Sequence, residues 1–180
     1  MPAVSPSAGR RGLRLQFVGR ALAAGALAVV VTFSQDHSAF FGLIALGVFQ
    51  VVQGAVVALS AGAATSGRLL LALRGALGIA LGVLALLLRD GGLGPLVTLA
   101  TTAFLVLGLL EVIEGVRPSG PVRVDREAVA VGGLSAVVGA MLLILPRDEE
   151  FTVGVQGAWG AIVAVYLGIA AVSLRDREPA

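Results

Sequence analysis

Apolar residues neither alternate along this chain nor keep to one helical stripe. They run almost unbroken through six stretches, 15–33, 39–59, 69–88, 96–116, 128–145 and 151–174. At about 1.5 Å of rise per residue, each stretch is long enough as a helix to cross a hydrocarbon core of about 30 Å. The segments between them, 34–38, 60–68, 89–95, 117–127 and 146–150, hold nearly all the aspartate, proline and polar punctuation and read as loops. Strands are a poor alternative. An open strand exposes unpaired backbone to lipid, and these runs are too long and too uniformly apolar for barrel strands that alternate toward a lumen. The pattern therefore predicts an all-α, polytopic membrane bundle of six transmembrane helices. A basic N-terminal tail, 1–14, precedes the membrane domain, 15–174, and a short tail, 175–180, follows it.

The six stretches are not independent. Gly25, Gly82 and Gly139 are spaced by 57 residues and 57 again, and open the similar strings GALAVVVT, GVLALLLR and GAMLLILP. Equal spacing in similar context points to tandem duplication, with one helical hairpin per copy: 15–59, 69–116 and 128–174. Four residues earlier stands another small residue, giving the pairs Ala21/Gly25, Gly78/Gly82 and Ser135/Gly139 on the odd-numbered helices. Small faces of this kind let helix backbones approach closely in lipid. Each copy has two spans, so successive copies enter the membrane in the same sense and can be related by an axis along its normal. A bundle of three hairpins with the small faces inside is expected. In the even helices, GVFQVVQG from Gly47 matches GLLEVIEG from Gly108, which equates Gln50 and Gln53 with Glu111 and Glu114.

Composition strengthens the membrane reading. Residues of the AVILMFWYC set make up 57% of the 180, DEKR only 13%, and mean hydropathy is +0.97, against about 25% charged residues in ordinary soluble domains. All 13 basic residues are arginine. With the N-terminus inside, eleven of them lie at or near the cytoplasmic face and only Arg89 and Arg147 lie outside, which predicts cytoplasmic termini by the positive-inside rule. The Arg10-Arg11 pair ahead of an apolar run has the form of a signal peptide. The repeat instead makes the first span a structural member.

The chain resembles the HdeD-type acid-resistance membrane proteins, a bacterial family of short six-span proteins built from a repeated glycine-rich hairpin. The resemblance rests on Arg74-Gly75 leading into GIALGVLALLL, on Gly139 to Pro146, and on the paired glycines of the second and fourth spans. It covers roughly residues 14–174. It implies a bacterial inner-membrane location and an association with acid stress, and supplies no catalytic or binding residues.

Candidate chemistry lies in a few polar residues. Arg20, Arg74 and Glu111 fall about 8 Å inside the cytoplasmic edge of their spans, with Glu114 one turn shallower. Ionisable groups at such depths seek protein or water and a partner, so Glu111 or Glu114 is expected to pair with Arg74 or Arg20. One reading is a proton-sensitive latch. The other is a static ion pair with the arginines snorkelling to headgroups. Gln50 and Gln53, deeper still, are expected to hydrogen-bond between helices or line a polar path, and Gln156 to bond likewise. Asp36-His37 in the first outer loop offers an acid sensor or an ordinary solvated turn. Trp159 and Tyr166 read as packing residues.

Chemistry of other kinds finds no footing. The chain has no cysteine and one histidine, which removes thiolate nucleophiles and the usual metal-ligand sets. No Gly-x-Ser-x-Gly turn accompanies that histidine. The arginines are dispersed without interleaved aromatics, unlike a nucleic-acid surface. No enzymatic activity, cofactor, metal or nucleic-acid partner is expected. The expected partners are the bilayer, other copies of the chain or other membrane proteins. The first functional expectation is a non-enzymatic membrane protein contributing to acid or general stress tolerance. The second is a small proton-linked channel or transporter using the intramembrane Arg and Glu groups.

Overall fold

A computed structural model describes residues 6–63, 67–117, 125–145 and 147–175. Seven helices form six rods: α1 (Pro6–Phe33), α2 (Ala39–Ala63), α3 (Arg68–Leu87), α4 (Leu93–Thr102), α5 (Gly108–Val116), α6 (Arg126–Ile144) and α7 (Glu149–Arg175). A π-helical turn, Ala103–Leu107, joins α4 to α5 within the fourth span. All six rods are long and apolar enough to cross a bilayer, and the chain is built as a multi-pass membrane protein. Helix α1 begins at Pro6, so the segment read as a basic tail largely continues the first helix. The side chains of Arg10 and Arg11, together with Arg123, Arg177 and the rest of the C-terminal tail, lie outside the described residues.

Short polar residues end and restart the helices. Asp125 accepts the Ala128 N–H at 3.2 Å and caps α6. Asp148 accepts from Glu150 N–H at 2.8 Å ahead of α7. Each supplies an acceptor to a first-turn N–H that has no partner within its own helix. Helix α2 takes part of its cap from another span: Glu149 Oε2 accepts the Ala39 N–H at 2.7 Å. Gly67 and Gly92 adopt φ of 68° and 74° just ahead of α3 and α4, a region that side-chain-bearing residues seldom occupy.

The hairpin copies are not the units of packing. The closest helix pairs are α2 with α3, the fourth span with α6, and α7 with α1. Each pair joins one copy to the next, and the last returns to the first and closes a ring. Helix α2, the fourth span and α7 also touch one another pairwise, whereas α1, α3 and α6 make no mutual backbone contact among the described residues. The even spans therefore form a central triangle with the odd spans around it.

Glycine sets this pairing, because packing shape and not water exclusion drives helix association in lipid. A Cβ on Gly75 would stand 2.8 Å from Gly54 O and 2.6 Å from Ala58 N. One on Gly132 would meet Gly108 O and Val112 N at 2.6 and 2.8 Å. The two pairs are built alike, and Gly108 is the counterpart of Gly54. The predicted small faces do meet neighbours, but they are even spans: Gly78 and Gly82 lie on α2, Gly139 on Leu105, and Gly25 more loosely on Ala164. Ala21 packs against the core, and Ser135 is buried.

That register corrects the equation of Gln50 and Gln53 with Glu111 and Glu114. The motif match displaces the second span by 61 residues, whereas the packed glycines displace it by 54. The difference is seven residues, two helical turns. The glutamines and the glutamates therefore occupy different levels of the bundle.

Candidate functional site

Helix α1 starts and α7 ends on the side of the bundle where α2 and α5 end and α3 and α6 start; this side is the terminal end of the bundle. Toward it, α1 carries Arg20, α3 carries Arg74 six residues from its start, and α5 carries Glu111 five residues and Glu114 two residues before its end. These four side chains come together. Arg20 Nη1 lies 2.5 Å from Glu111 Oε1, Arg74 Nη1 lies 2.7 Å from Glu111 Oε2, and Arg74 Nε lies 3.0 Å from Glu114 Oε2. The expected pairing is present, with Glu111 shared between two arginines.

The arginines do not snorkel. Arg20 is 3% exposed, Arg74 5% and Glu111 4%, so their charges meet inside the protein and away from lipid. Two cations and two carboxylates also leave the group without net charge. That balance matters, because an unpaired ion at this depth carries a desolvation cost of several kcal/mol, as a rough measure. The backbones of α1 and α5 do not approach each other. Only long side chains crossing the interior link them, and Glu111 is where they meet.

Next to the charges is a cavity of about 40 Å³, lined in part by Arg20, Gln50, Gln53, Arg74 and Glu111. Gln50 and Gln53 are buried, yet no hydrogen bond joins either side chain to another helix among the described residues, and Gln53 Oε1 has no partner there. They line the cavity beside the charges and do not stitch two helices together.

Above the cavity lies a feature the sequence reading missed. Trp159 sits edge-on against Phe49 and Phe104, with ring centroids 5.3 and 5.0 Å away. Edge-to-face pairs of this kind add to plain area burial. The indole Nε1–H donates to Ser135 Oγ at 3.0 Å, and that hydroxyl donates to Val131 O at 2.8 Å. The three rings come from the three central spans. Phe49, Phe104 and Trp159 are each 55 residues apart, a spacing that was visible in the sequence. Tyr166, by contrast, faces outward and is exposed.

One turn further from the terminal end, in the same spans, lie Thr101 and Gln156. Gln156 is 0% exposed, and neither of its amide atoms has a partner among the described residues; Thr101 Oγ1 is likewise unpartnered. The interhelical bond expected of Gln156 is not formed. Beyond these, Leu43, Leu96 and Val153 are fully buried. They separate Gln156 from an open bowl of about 420 Å³ at the far end, lined by Gln35, His37, Ser38, Asp148, Glu149 and Glu150.

Outside the spans, Asp36 accepts the Ser38 N–H at 2.9 Å. That bond, followed by the Ser38 hydroxyl, holds its carboxyl below the usual carboxylate range. His37 packs edge-on to Phe41. Partial burial pushes the Asp125 carboxyl up, against the opposing effect of its bond from Ala128. Among the described residues no three His, Cys, Asp or Glu side chains are grouped to hold a metal ion.

No family model, curated protein or solved structure matches the chain. The functional reading therefore rests on its own residues.

Proposed function

We propose that the chain is a non-enzymatic, multi-pass protein of a bacterial inner membrane, of the HdeD type, that contributes to acid or general stress tolerance. Both ends face the cytoplasm in this reading, as the arginine distribution favours. The observation that carries it is the buried cluster in which Glu111 is ion-paired with Arg20 and Arg74 at once. Each oxygen of that carboxylate faces a guanidinium. Such an arrangement serves as a clamp holding three spans in register, and it presents no nucleophile or general base to a substrate. Bundle integrity under stress is then the contribution. The test is deletion in the host with survival scored across external pH, complemented by the native chain or by Glu111→Gln. Unchanged survival on deletion would remove the stress role. A reporter fused after Ala180 that reads as external would remove the orientation.

A second reading, a small proton-linked channel or transporter, is favoured by one feature: the cavity that the cluster shares with Gln50 and Gln53. Intramembrane ionisable groups beside such a space are a usual mark of ion pathways. Flux in proteoliposomes that depends on Glu111 would move the choice to it.

A further inference from the structure

The three central spans place equivalent positions on one axis. Leu46, Thr101 and Gln156 are spaced by 55 residues, as are Phe49, Phe104 and Trp159. All six are buried. Polar groups thus occupy two levels of the axis. Gln156 and Thr101 form the upper level, and Gln53 with the Arg20–Glu111–Arg74 cavity forms the lower. The aromatic layer lies between them and closes the top of that cavity.

A buried amide with both atoms unpartnered is destabilising, and far from water a bundle has no reason to retain one for packing. Leucine would fill the same place in α7 without that cost. The polar atoms at the lower level suit water, which needs a cavity of about 10–15 Å³ and two or more polar partners. The lower space, about 40 Å³, meets the volume requirement. It is too small for a hydrated alkali ion, and two guanidinium groups border it. At the far end, the bowl of Asp148, Glu149 and Glu150 favours cations at its mouth.

We infer that the centre of the bundle is an interrupted water path for protons, shut at two apolar layers: Phe49/Phe104/Trp159, and Leu43/Leu96/Val153 one level nearer the bowl. The inference rests on the proton-linked reading above. When both layers part, water at the Gln156 level joins the bowl to the lower cavity. Each water then gives up a proton as it accepts another, so one proton enters at one end as one leaves at the other. Apolar constrictions of this kind gate by excluding water.

Two shut layers in series make a specific prediction for the purified full-length protein in liposomes holding a pH-sensitive dye, driven by a potassium diffusion potential. Leu96→Ala and Trp159→Ala singly leave proton flux near the native level, and the pair raises it about tenfold as both constrictions wet. Adding Gln156→Leu to the pair returns flux to the native level, and sodium entry stays at background throughout. A pair that stays at the native level overturns the inference. So does a pair whose flux ignores Gln156→Leu, or one that leaks sodium and protons alike. If the alanine pair does not reach the membrane folded, Leu96→Val with Phe104→Val carries the same test, with Trp159 emission reporting intact core packing. Flux through the native chain that depends on Glu111 but ignores the layer and Gln156 substitutions would keep the proton-linked reading and sink the axial path. Flux opened by the pair and closed by Gln156→Leu, but indifferent to Glu111→Gln, would keep the path and remove Glu111 from it.

Discussion

Arg20 Nη1 lies 2.5 Å from Glu111 Oε1 although the helices that carry them, α1 and α5, have no backbone contact. The same carboxylate reaches Arg74 on α3. One residue thereby joins three spans across the interior, and removing it strands Arg20 and leaves Arg74 with Glu114 alone.

Glu111→Gln is accordingly expected to destabilise the bundle by about 3 kcal/mol, in the range for breaking one partner of a buried ion pair. Thermal unfolding in detergent measures this. Replacing Arg20, Arg74, Glu111 and Glu114 together by methionine, methionine, leucine and glutamine should cost much less than the single change, because no ion is then left alone. A quadruple variant less stable than Glu111→Gln would contradict that account.

The glycine contacts predict different outcomes at two glycine positions, Gly75 and Gly25. Gly75→Ala places a methyl group 2.6–2.8 Å from α2 backbone and should lower the melting temperature distinctly. Gly25→Ala meets only the Ala164 methyl at 3.5 Å. It should be neutral or stabilising by up to about 1 kcal/mol, from better helix propensity. Equal effects at the two positions would refute the assignment of a tight site at Gly75 and a loose one at Gly25.

Trp159 is the only tryptophan, so its fluorescence reports on the aromatic layer alone. Ser135→Ala leaves the indole N–H without its acceptor and should cost about 1–3 kcal/mol, with a shift in emission. Trp159→Phe keeps the edge-on packing, removes donor and need together, and should cost less. If Ser135→Ala changes neither emission nor stability, the bond has no consequence in solution.

Asp125 both caps α6 and is pushed up by burial. A carboxyl raised in the folded state contributes stability that is present below its unfolded value and lost as pH rises through the folded one. Asp125→Asn should therefore match the native chain in acid and exceed it above the raised value, since asparagine caps without charge. Asp125→Ala should lie about 1 kcal/mol below Asp125→Asn at every pH, having lost the cap. Melting temperatures across pH for the three chains decide between these outcomes.

The six spans, the 57-residue duplication and the depth of Arg20, Arg74 and Glu111 were legible in the linear chain. Avoidance of water belongs to each segment by itself, and helical rise converts position into depth without reference to neighbours. The meeting of arginines with glutamates was legible too, since charges at one depth in an apolar surround have few other partners. Which helix meets which was not. In lipid every apolar face is equally content, so pairing follows the shape of small residues, and Gly47, Gly54, Gly108 and Gly115 fit more than one register. Matching GVFQVVQG to GLLEVIEG chose a register two turns away from the packed one, and hid the alignment of Phe49, Phe104 and Trp159. Tertiary structure alone decided that copies pair across their boundaries, that Glu111 takes both arginines, and that Gln156 lies unpartnered on the axis. Those outcomes depend on distances between segments far apart in the chain, set by close packing and not by any local preference.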